Sequence, residues 1–142
     1  MDSVAPNRIL VVDDDASILR LLATILRREF YDVDTASGGR EALSKIELTL
    51  YDVIVLDLMM PEVSGLDVLR SLHVRRPQVR CVVILSAASS FDVADSINPN
   101  VFAALRKPFD VTGLITAVRE CVEANCCPAS PALPLPPVVA AA

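Results

Sequence analysis

The chain has 142 residues, a formal net charge of −5 at pH 7 and a hydrophobic share of 53%. A fold of that length hides roughly two-thirds of the surface its unfolded chain would expose, so one domain with a single sizeable core is expected. No apolar run approaches the ~20 residues that cross a bilayer, the N-terminus lacks a basic and apolar leader, and Lys and Arg are not grouped as a nucleic-acid surface requires, so a cytoplasmic chain that binds neither membrane nor nucleic acid is expected.

Residues 1–6 read as a short extension. Ile9 to Val12 is an apolar strand. Ala16 to Arg28 has helical period, with Ile18, Leu19, Leu22, Ile25 and Leu26 on one side and Arg20, Thr24, Arg27 and Arg28 on the other. Tyr31 to Ala36 is a weaker strand, Gly39 to Leu48 a helix and Val53 to Leu56 a second fully apolar strand. Leu66 to Val74 is a helix opened by a capping box of Ser64 and Asp67, and its lone His73 reads as a solvated helix-end residue. Cys81 to Leu85 is a strand, and Ser90 to Ile97 a short helix stopped by Asn98, Pro99 and Asn100. Val101 to Leu105 is the fifth strand. The last helix, Val111 to Ala124, is capped by Asp110, with Leu114, Ile115, Val118 and Val122 as its apolar stripe.

From Asn125 the chain carries Pro128, Pro131, Pro134, Pro136 and Pro137 among uncharged residues. Proline at that density sustains neither a helix nor a central strand, so residues 126–142 are expected to be a flexible tail on a domain spanning 7–125. A docking peptide is the functional alternative for this tail. Cys81, Cys121, Cys126 and Cys127 match neither a disulfide framework nor a zinc spacing.

Strands that are apolar at every position are covered on both faces, which points to a parallel sheet. With strand and helix alternating, the expected fold is α/β: a doubly wound, flavodoxin-like, three-layer arrangement of five parallel strands in the order 2-1-3-4-5.

Ligands in such a sheet sit beyond the carboxyl ends of the strands, where the order reverses between the first and third. Both of those strands end in acid: Asp13, Asp14 and Asp15 follow Val12, and Asp57 follows Leu56. Two carboxylates about 5 Å apart repel by roughly 3 kcal/mol at an effective dielectric near 20, so a cation must compensate. Mg2+ suits the position, with Mn2+ as a substitute, because it takes one or two carboxylates, several waters and a phosphate oxygen. Asp13 and Asp14 fit the ligand role, Lys107 brings a second positive charge and Ser86 a hydroxyl to the same edge. Asp57 is left as a carboxylate nucleophile for phosphoryl transfer.

The segments Ile9 to Asp15, Asp57 to Gly65, Ile84 to Ala87 and Lys107 to Phe109 resemble the four signature segments of response-regulator receivers, a likeness that runs from about residue 7 to 124. The resemblance implies a two-component phosphorelay domain in which Asp57 is phosphorylated by a histidine kinase or phosphotransfer protein. It also implies that Asp13, Asp14, Asp57 and the Met59 backbone carbonyl bind the metal, that Ser86 is the switch hydroxyl and that Lys107 contacts the phosphoryl group. Such a chain is a regulatory domain rather than an enzyme, with at most self-catalysed phosphorylation and dephosphorylation. A stand-alone receiver, a relay intermediate or a fragment, monomeric or weakly dimeric, is expected.

Two departures from the family pattern stand out. Ala104 occupies the position three before the lysine, where receivers carry Tyr or Phe, and Phe102 lies two residues earlier, which in a regular strand is the same face. The segment from Ser86 to Lys107 is also about one residue short. Two other readings remain: a receiver-like docking module that works without phosphate, and a phosphatase of the haloacid-dehalogenase type using Asp13 and Asp15. Against the second stand the lack of an insertion large enough for a cap and of an acidic pair after Lys107.

Overall fold

The computed structural model describes residues 7–58, 60, 62–75, 82–86, 101–106, 110–125 and 138–139. In chain order these form β1 (Arg8–Val12), α1 (Ala16–Arg28), β2 (Asp32–Ala36), α2 (Gly39–Leu48), β3 (Val53–Asp57), α3 (Gly65–Arg75), β4 (Val82–Ser86), β5 (Val101–Arg106), α4 (Val111–Asn125) and β6 (Val138–Val139). The short helix expected at Ser90 to Ile97, and its stop at Asn98 to Asn100, lie outside the described residues.

All strand pairings are parallel, in the order β2-β1-β3-β4-β5-β6. The first five follow the expected order. The sixth, two residues long, adds to the outer edge of β5 from within the proline-rich segment. Its two β-branched residues favour extended backbone, and an edge position needs ladder bonds on one side only.

Period-two alternation sorts the core. Ile9, Val11, Val53, Val55, Ala103 and Leu105 pack with Leu22, Leu26, Leu114 and Val118 of α1 and α4. Leu10, Val12, Ile54 and Leu56 point the other way, onto Ala42 and Ile46 of α2 and Val68, Leu69 and Leu72 of α3. Helices on both faces of β1 and β3 explain why neither strand alternates in polarity.

The helix starts are fixed by side chains. Asp15 accepts N–H bonds from Ser17 (2.9 Å) and Ile18 (3.3 Å). Ser64 and Asp67 form the reciprocal box, Ser64 N–H to Asp67 at 3.0 Å and Asp67 N–H to Ser64 Oγ at 3.2 Å. Asp110 accepts from the Thr112 N–H at 3.3 Å. α1 ends with Phe30 N–H donating to Arg27 O (3.0 Å) and Tyr31 N–H to Leu26 O (3.3 Å), the paired bonds of a Schellman motif, and Phe30 takes its left-handed position at φ 68°.

β4 and β5 are not in simple register. Val82 pairs with Val101 but Val83 pairs with Ala103, so Phe102 is the extra residue of a β-bulge. The alternation that would put Phe102 on the face of Ala104 is interrupted at that point.

Candidate functional site

The site begins with register. Val12 of β1 stands opposite Leu56 of β3, so the next residues, Asp13 just past β1 and Asp57 at the end of β3, stand at one level. Asp13 stays on the ladder, its N–H donating to Ala36 O of β2 at 3.1 Å. Its carboxylate accepts the Asp15 N–H at 2.9 Å, so the turn that carries the chain into α1 also orients the acid.

Asp13 is 1% exposed and Asp57 3%, the two buried charged residues among those described; Asp14 faces solvent. Oxygens of Asp13, Asp14 and Asp57 all lie within 4.8 Å of one another. At that separation each pair of carboxylates repels by roughly 3 kcal/mol at an effective dielectric near 20. Three oxygen donors at this spacing, two of them shielded from bulk water and one open to it, fit a hard divalent ion that keeps part of its water shell.

The backbone behind Asp57 is equally constrained. A Cβ built on Gly65 would fall 2.2 Å from the Asp57 carbonyl oxygen and 2.6 Å from Leu58 Cα, while Gly65 N–H donates to Leu58 O at 3.2 Å. The loop after β3 therefore folds back until the start of α3 lies against the residue that carries the carboxylate. Only glycine permits that approach. The loop passes through Glu62 at φ 64°.

Asp57 pairs with Leu85 of β4, and Ser86, one residue further, pairs with Arg106 of β5. The backbone of Ser86 thus ends its strand one step past the level of Asp57, on the same rim. Lys107 and Met59 lie outside the described residues. Of the expected site residues, Asp13, Asp14 and Asp57 are brought together by their side chains and Ser86 by its backbone. Asp15, which sequence reasoning weighed as a second catalytic acid, is a helix cap. Its place immediately before the first residue of an apolar-periodic helix carries that signal.

A family model described as the response regulator receiver domain matches residues 9–119. The chain belongs to the response-regulator receiver family. Response regulator ArlR of Staphylococcus aureus is 34% identical over 114 residues, covering 80% of this chain and 51% of the relative. The receiver thus spans about half the length of the curated relatives it matches. Among solved structures, a CheY-like receiver domain protein of Methanospirillum hungatei JF-1 is 29% identical with a TM-score of 0.78, covering 84% of this chain and 95% of that one. Response regulator TrrA of Thermotoga maritima, in complex with Mg(2+)-BeF, is 34% identical with a TM-score of 0.73, covering 81% and 98%. The carboxylate cluster of this receiver sits at the switch point between β1 and β3, where the fold places ligands. Among the described residues, no helix is long and apolar enough to cross a membrane.

Proposed function

We propose that this receiver is phosphorylated on Asp57 by a sensor histidine kinase or a phosphotransfer protein, and that Asp13, Asp14, Asp57 and the Met59 backbone carbonyl hold the Mg2+, or Mn2+, that the reaction uses. The observation that carries the reading is the convergence of three carboxylates from two strand ends within 4.8 Å. In the bound state the ion supplies positive charge against the equatorial oxygens of the transferred group. Asp57 does the chemistry of this chain: a carboxylate oxygen attacks phosphorus as the bond to the donor histidine nitrogen breaks, giving an acyl phosphate. Asp13, held by the Asp15 N–H, and the more exposed Asp14 are positioned as ligands. Lys107 contacts the phosphoryl oxygens and Ser86 is the switch hydroxyl. That the Thermotoga relative was crystallised with Mg(2+)-BeF supports the same use of this pocket.

In this reading residues 7–125 are the receiver unit and 126–142 an appended segment. The protein is cytoplasmic, monomeric or weakly dimeric, and binds no nucleic acid through this chain. Its catalysis is limited to self-phosphorylation and dephosphorylation. The phosphatase alternative needs Asp15 as a second acid at the reacting centre, whereas Asp15 bonds to Ser17 and Ile18 as a cap. The docking-module alternative draws on Ala104, which stands where receivers carry Tyr or Phe, and on the bulge that makes Phe102 the extra residue of β5. Equal partner binding by wild type and Asp57→Ala would favour it.

The reading is tested by intact mass after incubation with a small phosphodonor and Mg2+. Wild type should gain one phosphoryl group and Asp57→Asn none; an increment of equal size in the variant would contradict the assignment.

A further inference from the structure

The outer edge of β5 is occupied by residues beyond the family match. β6 pairs Val138 with Ala104 and Val139 with Leu105, whereas the receiver family model ends at residue 119. We propose that this edge is a docking site for an extended apolar segment, and that the chain's own Val138–Val139 is its resident occupant, an intramolecular cap on the sheet.

The edge is suited to the role. Ala103 and Leu105 are buried in the layer shared with α1 and α4, so β5 is anchored from inside while its outward N–H and C=O groups form a fixed row. A sheet edge of this kind pairs with whatever extended segment is presented to it. Because β5 starts the crossover through α4, the following strand arrives parallel, as β6 does.

The occupant is suited as well. Val138 and Val139 are β-branched and favour extended backbone. Pro136 and Pro137 precede them; with φ preset and no N–H to donate, prolines deliver an extended chain and limit how far ladder bonds run toward the N-terminal side. No charged residue lies between Asn125 and Ala142, so the segment brings no side-chain charge to the strand edge. A pairing of two residues is also short enough for another extended segment to compete with it, which is how strand addition joins chains. Ala104 and Leu105 directly precede Arg106, which pairs with Ser86, so the cap covers the carboxyl end of β5. This inference does not depend on the phosphorylation reading.

Amide hydrogen exchange on the full chain tests it. In wild type, β5 amides that do not bond to β4 should exchange at least about tenfold more slowly than in Val138→Pro/Val139→Pro, while β1 and β3 amides keep the same rates in both. A synthetic peptide of residues 133–142 added to the variant should restore the slow exchange. Equal rates in wild type and variant would overturn the pairing, and failure of the peptide to restore them would overturn the docking site. In a mixture of isotope-labelled and unlabelled wild type, contacts between Val138 and Ala104 should arise within one chain; contacts only between chains would overturn the intramolecular cap.

Discussion

At the residue scale the site sets burial against charge. Asp13 and Asp57 are almost wholly buried, which disfavours carboxylates unless a cation or donors compensate. The Asp15 N–H donates to Asp13, and a divalent ion held among the three carboxylates would add positive charge to the cluster. Gly65 is the second point of tension. Gly65→Ala would push a methyl group into the Asp57 carbonyl and Leu58 Cα, both backbone atoms with little room to yield. The expected result is a loss of about 1–3 kcal/mol in denaturant unfolding, together with slower phosphoryl incorporation; unchanged values of both would contradict the close approach. Tyr51, away from the site, carries a pH signature. Burial pushes its phenol up to about 12, and the hydrogen bond it donates to Asp34 at 2.7 Å and the charge of that carboxylate act in the same direction. The unfolded phenol titrates near pH 10, so above that pH the unfolded chain loses the proton first. The stability contribution is full below about pH 10 and is lost as pH rises toward about 12. Tyr31 is raised too, chiefly by burial, so Tyr51→Phe should reduce rather than abolish the alkaline slope of the urea midpoint. An identical slope in both proteins would refute the assignment.

At the scale of elements, the helix ends explain how the site is held. The Asp15 cap, whose N–H also binds Asp13, ties the start of α1 to the acidic rim, and the box of Ser64 and Asp67 fixes the start of α3 where Gly65 meets β3. The other end of α1 is less well suited to its sequence. Phe30 sits at φ 68° and is 87% exposed, a left-handed position that glycine usually fills. Phe30→Gly should therefore stabilise the protein by about 1 kcal/mol, the strain relieved outweighing the added freedom of the unfolded chain. A lower thermal midpoint for the variant would mean that the ring makes contacts which offset the strain. The capping residues were readable from sequence because Ser64, Asp67 and Asp110 stand just before apolar periodicity. The Phe30 conformation was not, since nothing local distinguishes it from any aromatic residue after a helix.

At the scale of the whole molecule, the five-stranded order and the layering were legible because short apolar runs alternate with stretches of helical period along the chain, and because parallel crossovers leave few topologies open. The meeting of Asp13, Asp14 and Asp57 was legible for the same reason: once β1 and β3 are neighbours in register, residues following them share a rim. Two features escaped. The bulge at Phe102 is an offset between two strands that neither strand carries alone. β6 is built from two valines among prolines and alanines, and its strand character comes from the β5 edge that receives it. The central claim, that carboxylates from two strand ends form one metal site, is tested most directly by Mg2+ titration of the full chain, followed by amide chemical shifts. Asp13→Asn and Asp57→Asn should each weaken affinity by about tenfold or more, while Asp15→Asn, which keeps the cap, should bind as wild type does. Equal affinity in wild type and all three variants would show that the cluster does not hold the ion.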